Sequence, residues 1–214
     1  MAASLLDKVL NRCLEETNFL FGPIRRLFIK TSKFTIVSNN CWGGKVYRYF
    51  HLPYLSPTVG LYFFAEDYLK FCTEFSRYIN EDLIFISIED SRYNQELTRK
   101  GETNVIIGKL DDIEIIFLHY HSEYEAKEKW ERRKHRIQYD NLYFKFSEQN
   151  GCTKSHLKKF SDLPLPNKII FTTRDYKLPN QVVFKNSITG QGIIDETLGF
   201  KYVSPIKYLR GQYF

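Results

Sequence analysis

The sequence predicts an α/β fold: a three-layer α/β/α, Rossmann-like arrangement whose mixed sheet has a parallel core and antiparallel additions. Three observations carry this reading. Leu142 to Phe146, a short helix near Thr153 to Phe160 and Lys168 to Thr172 alternate strand, helix and strand at a spacing that demands crossover connections. Ahead of them, Ser122-Glu123-Tyr124-Glu125 has the capping-box pattern, and a helix is expected from there to about Ile137. Asn104 to Ile107 and Ile113 to Leu118 are apolar runs on either side of Gly108-Lys109-Leu110-Asp111-Asp112, which makes them an antiparallel hairpin within the same sheet.

The remaining elements follow in chain order. Met1 to Phe21 scatters charges among apolar residues, as an amphipathic helix does, and Gly22-Pro23 is expected to end it. Lys33 to Val37 is a short β-branched and aromatic run ended by Asn39-Asn40, so it is predicted as a buried strand, with a helix from Trp42 to about Phe50 after it. His51 to Phe64 carries Pro53, Ser56-Pro57 and Gly60 and is expected to be a long loop. Glu66 to Ile79 has helical spacing and leads into a strand at Leu83 to Ile88. Gln181 to Lys185 is expected as an added edge strand. Residues 190–214 are expected as an irregular tail that packs down, which makes 1–214 one α/β domain with an N-terminal helix over 1–22.

Composition narrows the class. With 43% hydrophobic residues, 18 Phe and 15 Tyr, the chain has enough apolar surface for a substantial core. No run approaches the roughly 18 uncharged apolar residues that span a bilayer, and no signal-peptide pattern is present. Cys13, Cys41, Cys72 and Cys152 are far apart, which argues against a disulfide framework or zinc knuckle and favours the cytoplasm. The net charge of +6 suits an anionic partner. Much of the positive charge is local, in Lys127, Lys129, Arg132, Arg133, Lys134 and Arg136, without the base-stacking aromatics spread along a basic surface that nucleic-acid binders use. Nucleic acid is therefore not the expected partner, whereas peripheral contact with a membrane surface stays open.

Ligands of open α/β sheets collect beyond the carboxyl ends of parallel strands. The first such end is the turn Ser38-Asn39-Asn40-Cys41-Trp42-Gly43-Gly44, where helix-opening amides could hold a phosphate or carboxylate and the asparagines a sugar or amide. The alternative is a turn that caps the helix, with glycines for close packing. It lacks the full Gly-x-Gly-x-x-Gly of dinucleotide sites. Cys41 at a helix N-terminus could be a nucleophile with His119 or His121 as base, or an inert thiol. His119 and His121, two apart, could share a metal with Glu148 or Asp175, but no third spaced ligand asks for one, and proton transfer suits a histidine equally. Arg133 falls on the otherwise apolar helix face of Ala126, Trp130 and Ile137, so it needs a buried partner, either Asp140, Glu125 or a bound anion. Ser56 and Thr58 could contact a ligand or cap local amides, and Arg174 stands at the end of the last core strand.

Two of these segments also carry a resemblance. Ser38 to Gly44 with Ser56-Pro57-Thr58, and His119-Tyr120 with Glu125-Ala126, Lys129-Trp130, Arg132-Arg133 and Arg136-Ile137, resemble a bacterial family, domain of unknown function 1919, over roughly Phe34 to Phe171. Its members are often labelled exopolysaccharide biosynthesis proteins. The resemblance implies a bacterial protein close to surface-glycan assembly and brings no catalytic residues with it.

The expected function is an enzyme of glycan assembly, a transferase holding a sugar or sugar-phosphate substrate at the sheet edge. His119 would move a proton, with Cys41 as an optional nucleophile. Ser38, Asn39, Asn40, Trp42, Gly43, Gly44, Ser56, Thr58, Tyr120, His121, Arg133 and Arg174 would bind ligand. A Cys41/His119 hydrolase and a non-catalytic scaffold of the same pathway are the alternatives. No motif requires a cofactor, whose identity stays open along with the oligomeric state.

Overall fold

The computed structural model describes residues 16–184, 193 and 199–212. The α/β class is as expected, but the strands divide between two sheets. β1 (Thr35–Ser38), β5 (Leu142–Ser147), β6 (Lys168–Thr172) and β7 (Gln181–Val183) form a fully parallel sheet in the order β1-β5-β6-β7. β2 (Ile84–Ile86), β3 (Ile106–Leu110) and β4 (Ile113–Phe117) form a separate antiparallel sheet. The antiparallel additions therefore pack against the parallel core through side chains, without extending its ladder.

Side-chain alternation explains the layering. On the parallel strands Val37, Phe144, Phe146 and Ile170 face one core, while Ile36, Tyr143, Ile169 and Phe171 face another. The first core is closed by α3 (Ala65–Thr73), α4 (Phe75–Asn80), α6 (Glu123–Lys134), α7 (Lys154–Asp162) and the inner residues Ile113, Ile115 and Phe117 of β4. The second is closed by α2 (Trp42–Tyr49) and by the C-terminal residues Val203, Tyr208 and Leu209, so the described part of the tail packs down as expected. That tail carries two short helices, α8 (Gly199–Tyr202) and α9 (Pro205–Leu209). Ile107 and Ile116, on the outer face of the antiparallel sheet, pack with Leu97 of α5 (Asn94–Arg99) in a third cluster. Among the described residues, no helix is long and apolar enough to cross a membrane.

Several boundaries differ from expectation for identifiable reasons. Residues 1–15 lie outside the described residues, but α1 (Asn18–Arg26) runs through Gly22-Pro23 instead of ending there. Gly22 is needed for close approach: a β-carbon on it would stand 2.5 Å from that of His51. The hairpin turn is Asp111-Asp112, with Asp111 left-handed at φ 51°, and Gly108 is a strand residue lying under Phe117 and Leu83. The expected single helix from Glu66 to Ile79 is two, broken at Glu74. Its start is fixed by Asp67, a fully buried carboxylate that pairs with Arg92 and accepts the Glu114 amide at 2.9 Å. α5 had no clear periodicity and was not expected.

β1 is an edge strand, and its unpaired side is covered by side chains. The Tyr47 hydroxyl accepts from the Ile36 amide and donates to the Phe34 carbonyl, both at 3.0 Å. Thr58 Oγ1 accepts from the Ser38 amide at 3.2 Å, and Thr35 Oγ1 donates to the Leu55 carbonyl at 2.8 Å. The Tyr47 and Thr58 hydroxyls complete the hydrogen bonding of a buried edge that would otherwise be open, while Thr35 ties the covering loop to it.

Gly44 lets the covering loop reach α2, since a β-carbon there would stand 2.9 Å from Val59 Cγ1. Alanine at this helical position would by itself gain up to about 1 kcal/mol in propensity, but the stiff valine cannot rotate away. Gly44→Ala should therefore be net destabilising by about 1–2 kcal/mol in chemical denaturation, the cost of mild overpacking.

Candidate functional site

The turn after β1 is built around two asparagines with different duties. Asn39 is fully buried: its Nδ2 donates to the Ser147 carbonyl and its Oδ1 accepts from the Ser147 amide, both at 3.0 Å. This side-chain amide extends the β1–β5 ladder by one rung. Its carbonyl also holds the Phe63 amide at 3.2 Å, so Asn39 is occupied with structure. Asn40 Oδ1 instead collects donors from three sides: Lys145 Nζ at 2.7 Å, and Ser38 Oγ and the Trp42 amide at 3.2 Å each. Asn40 Nδ2 donates to Gln149 Oε1 at 2.8 Å, which ties the loop after β1 to the loop after β5.

Lys145 is the residue that sequence reasoning missed. It occupies the centre of β5, is fully buried, and holds its ammonium 5.0 Å from the Phe171 ring centre and 5.9 Å from that of Trp42. The signal was present, because a lysine inside the run Leu142 to Phe146 has to be buried if that run is a central strand. Trp42 is core: it packs edge-on against Phe171 and Tyr208, and its indole N–H meets no acceptor among the described residues. Gly43 and Gly44 are likewise buried, against Ile36 and Val59. Ser56 and Thr58 bond to each other at 3.0 Å and Thr58 bonds to β1, so they serve the covering loop.

The second predicted segment meets the first through Val59. Its carbonyl accepts from Arg133 Nη1 at 2.9 Å and from the Tyr120 hydroxyl, which in turn receives Arg133 Nη1 at 2.6 Å. Arg133 thus has its buried partner, but this is neither Asp140 nor Glu125; a carbonyl, a phenol and the face of Tyr54 at 5.0 Å hold the guanidinium. Glu125 pairs with Lys129 and accepts the His121 amide at 2.8 Å, so the capping box reaches one residue further back than expected, while Ser122 Oγ takes the Glu125 amide at 3.1 Å.

Cys41, Lys45 and Arg48 share one face of α2, at spacings of four and three. His119 stands in the field of that face. Partial burial holds its imidazole below the ordinary value of 6.5, and the charges of Arg48 and Lys45 push it down further. Tyr120 is shifted upward, chiefly by burial and in smaller part by the neighbouring Cys41. Lys45 and Arg48 of α2 thus act on His119, and Cys41, next to Asn40 in the chain, acts on Tyr120. His121 is exposed.

Arg174 belongs elsewhere. It lies 5.6 Å from the Tyr176 ring centre, in a cluster where Glu148 accepts from the Thr173 amide at 2.7 Å and from the Tyr176 hydroxyl at 2.5 Å. Asp175 is taken up by Lys177. Among the described residues no group of three or more His, Cys, Asp or Glu is placed to hold a metal ion.

Residues 12–211 match the family described as Domain of unknown function (DUF1919). The chain belongs to this family. It is also similar to an uncharacterised protein of Haemophilus influenzae, 32% identical over 174 residues that cover 81% of this chain and 78% of the relative. The two segments that carried the resemblance are those joined at Val59.

Two outcomes test the site's construction. Asn39→Ala removes the two buried hydrogen bonds between the Asn39 side chain and the Ser147 backbone and should cost about 1–3 kcal/mol in denaturant unfolding, at roughly 0.5–1.5 kcal/mol for each bond. Lys45→Ala with Arg48→Ala should raise the His119 pKa toward 6.5 in an NMR titration, because two repelling charges are gone while the burial remains.

Proposed function

We propose that the carboxyl edge of the parallel sheet binds a sugar phosphate and that the protein is a transferase of bacterial exopolysaccharide or surface-glycan biosynthesis, working in the cytoplasm. The observation that supports this best is the buried Lys145 held on Asn40 at the carboxyl edge, and Lys45 and Arg48 on α2 add their charges at His119. A phosphate entering there would meet charge in a setting of low dielectric, where each interaction counts for more than in water. The depressed pKa leaves His119 neutral at physiological pH, the form that accepts a proton from an attacking hydroxyl. Asn40 orients the lysine, and the Arg133–Tyr120 pair positions the loop that borders His119.

Among the described residues Cys41, Cys72 and Cys152 are not in disulfides, which suits a reducing compartment. Glycan assembly itself rests on the family resemblance and the chemistry of the edge. The non-catalytic alternative relied on a basic helix, yet α6 neutralises most of its own charge through Lys129–Glu125, Arg132–Glu128 and Lys134–Glu131 pairs.

Titration calorimetry with nucleotide sugars, sugar phosphates and inorganic phosphate tests the reading. A sugar phosphate should bind the wild type, and Lys145→Met should weaken it about tenfold to a hundredfold, since a charge-assisted hydrogen bond contributes about 1.5–3 kcal/mol. Methionine keeps the stem's volume, so folding should survive. His119→Gln should slow turnover and leave binding intact. Absence of binding across the panel, or an unchanged affinity in Lys145→Met, would sink the proposal.

A further inference from the structure

We infer that α1 is an interfacial helix that docks the protein on an anionic membrane surface. Among the described residues, six of the eleven exposed large hydrophobic side chains lie between Phe19 and Phe28. Leu20 and Ile24 on α1, with Leu27 and Phe28 in the turn that continues it, recur at the i, i+4, i+7, i+8 spacing of an apolar stripe and are 50–81% exposed. The opposite side is anchored. Gly22 packs on the backbone of Phe50 and His51, and Arg25 Nη1 donates to Asn18 Oδ1 at 2.5 Å and to the Tyr49 carbonyl at 2.8 Å. The helix is thus held by α2 through one face while its apolar stripe faces away.

Charge identifies what the stripe meets. From Thr17 to Ala65 the sequence has no Asp or Glu and six cations: Arg25, Arg26, Lys30, Lys33, Lys45 and Arg48. The other 25 cations match the 25 acidic residues, so this stretch accounts for the whole net charge of +6. An apolar stripe flanked by cations fits the boundary between acyl chains and anionic headgroups, where burial and electrostatic attraction add. A second copy of the chain is a poorer occupant, because a symmetric contact through the same patch would set like charges against each other. The inference stands whether or not the sheet edge is catalytic.

The test is co-sedimentation of the full chain with phosphatidylcholine vesicles and with vesicles of phosphatidylcholine and phosphatidylglycerol. The wild type should bind the anionic vesicles, weakly at high salt, and should bind phosphatidylcholine poorly. Arg26→Glu with Lys30→Glu should reduce binding at least about twentyfive-fold, from roughly fivefold for each cationic charge lost near the surface. Leu20→Ser, Ile24→Ser and Leu27→Ser together should abolish it while leaving the unfolding midpoint near that of the wild type, because all three side chains are exposed. Reversal of Lys127 and Arg132 on α6 should have little effect. Three results would overturn the inference: no preference for anionic vesicles, unchanged binding of the triple serine variant, or a concentration-dependent dimer that the serine variant dissolves without any vesicle binding by the wild type. Vesicle binding that appears only after removal of residues 1–15 would overturn it as well, by showing that the chain covers its own stripe.

Discussion

A parallel sheet whose first strand lies at its edge has to satisfy that strand's outward amides and carbonyls inside the protein. Here the Tyr47 and Thr58 hydroxyls do so, and almost everything about the candidate site follows. Because Thr58 is fixed to β1, Val59 is carried between α2 and the segment after β4. Because Val59 is there, its carbonyl becomes the meeting point of Tyr120 and Arg133. The Gly44 position has to stay bare for this geometry, and Arg133 can be buried without a carboxylate because a carbonyl, a phenol and an aromatic face share the desolvated charge.

The same edge is joined by polar side chains from β1 to β6. Asn39 adds a rung between β1 and β5, Asn40 connects to Lys145 and Gln149, and Glu148 holds Thr173 and Tyr176. Such a network fixes its members' rotamers before a ligand arrives, which lowers the entropic cost of binding. Net charge follows a different logic. The helix richest in basic residues carries its own carboxylates, whereas the net excess lies in the first third of the chain, on α1, on α2 and between them.

Much of the fold was legible because local rules governed it. β6 was expected over Lys168 to Thr172, where it lies, and α2 was placed to within a residue, since apolar runs bounded by turn residues leave few options. The helix at Glu123 was announced by its cap. The failures came where packing overrode local signals. Pro23 sits within α1, Gly108 lies in a strand because Phe117 and Leu83 cover it, and Glu74 divides a helix whose periodicity was continuous.

The sequence by itself determined the α/β class, most element positions and the two segments that meet at Val59, because periodicity, capping and turn chemistry act over a few residues. Tertiary structure alone decided that the strands form two sheets, that Asn39 is a structural rung while Asn40 is a hub, that Trp42 is core and that Arg174 stands apart. It also decided that the buried Lys145 lies beside Asn40. These are questions of which groups lie opposite one another across strands far apart in the chain, and pairing of that kind is set by long-range register and burial.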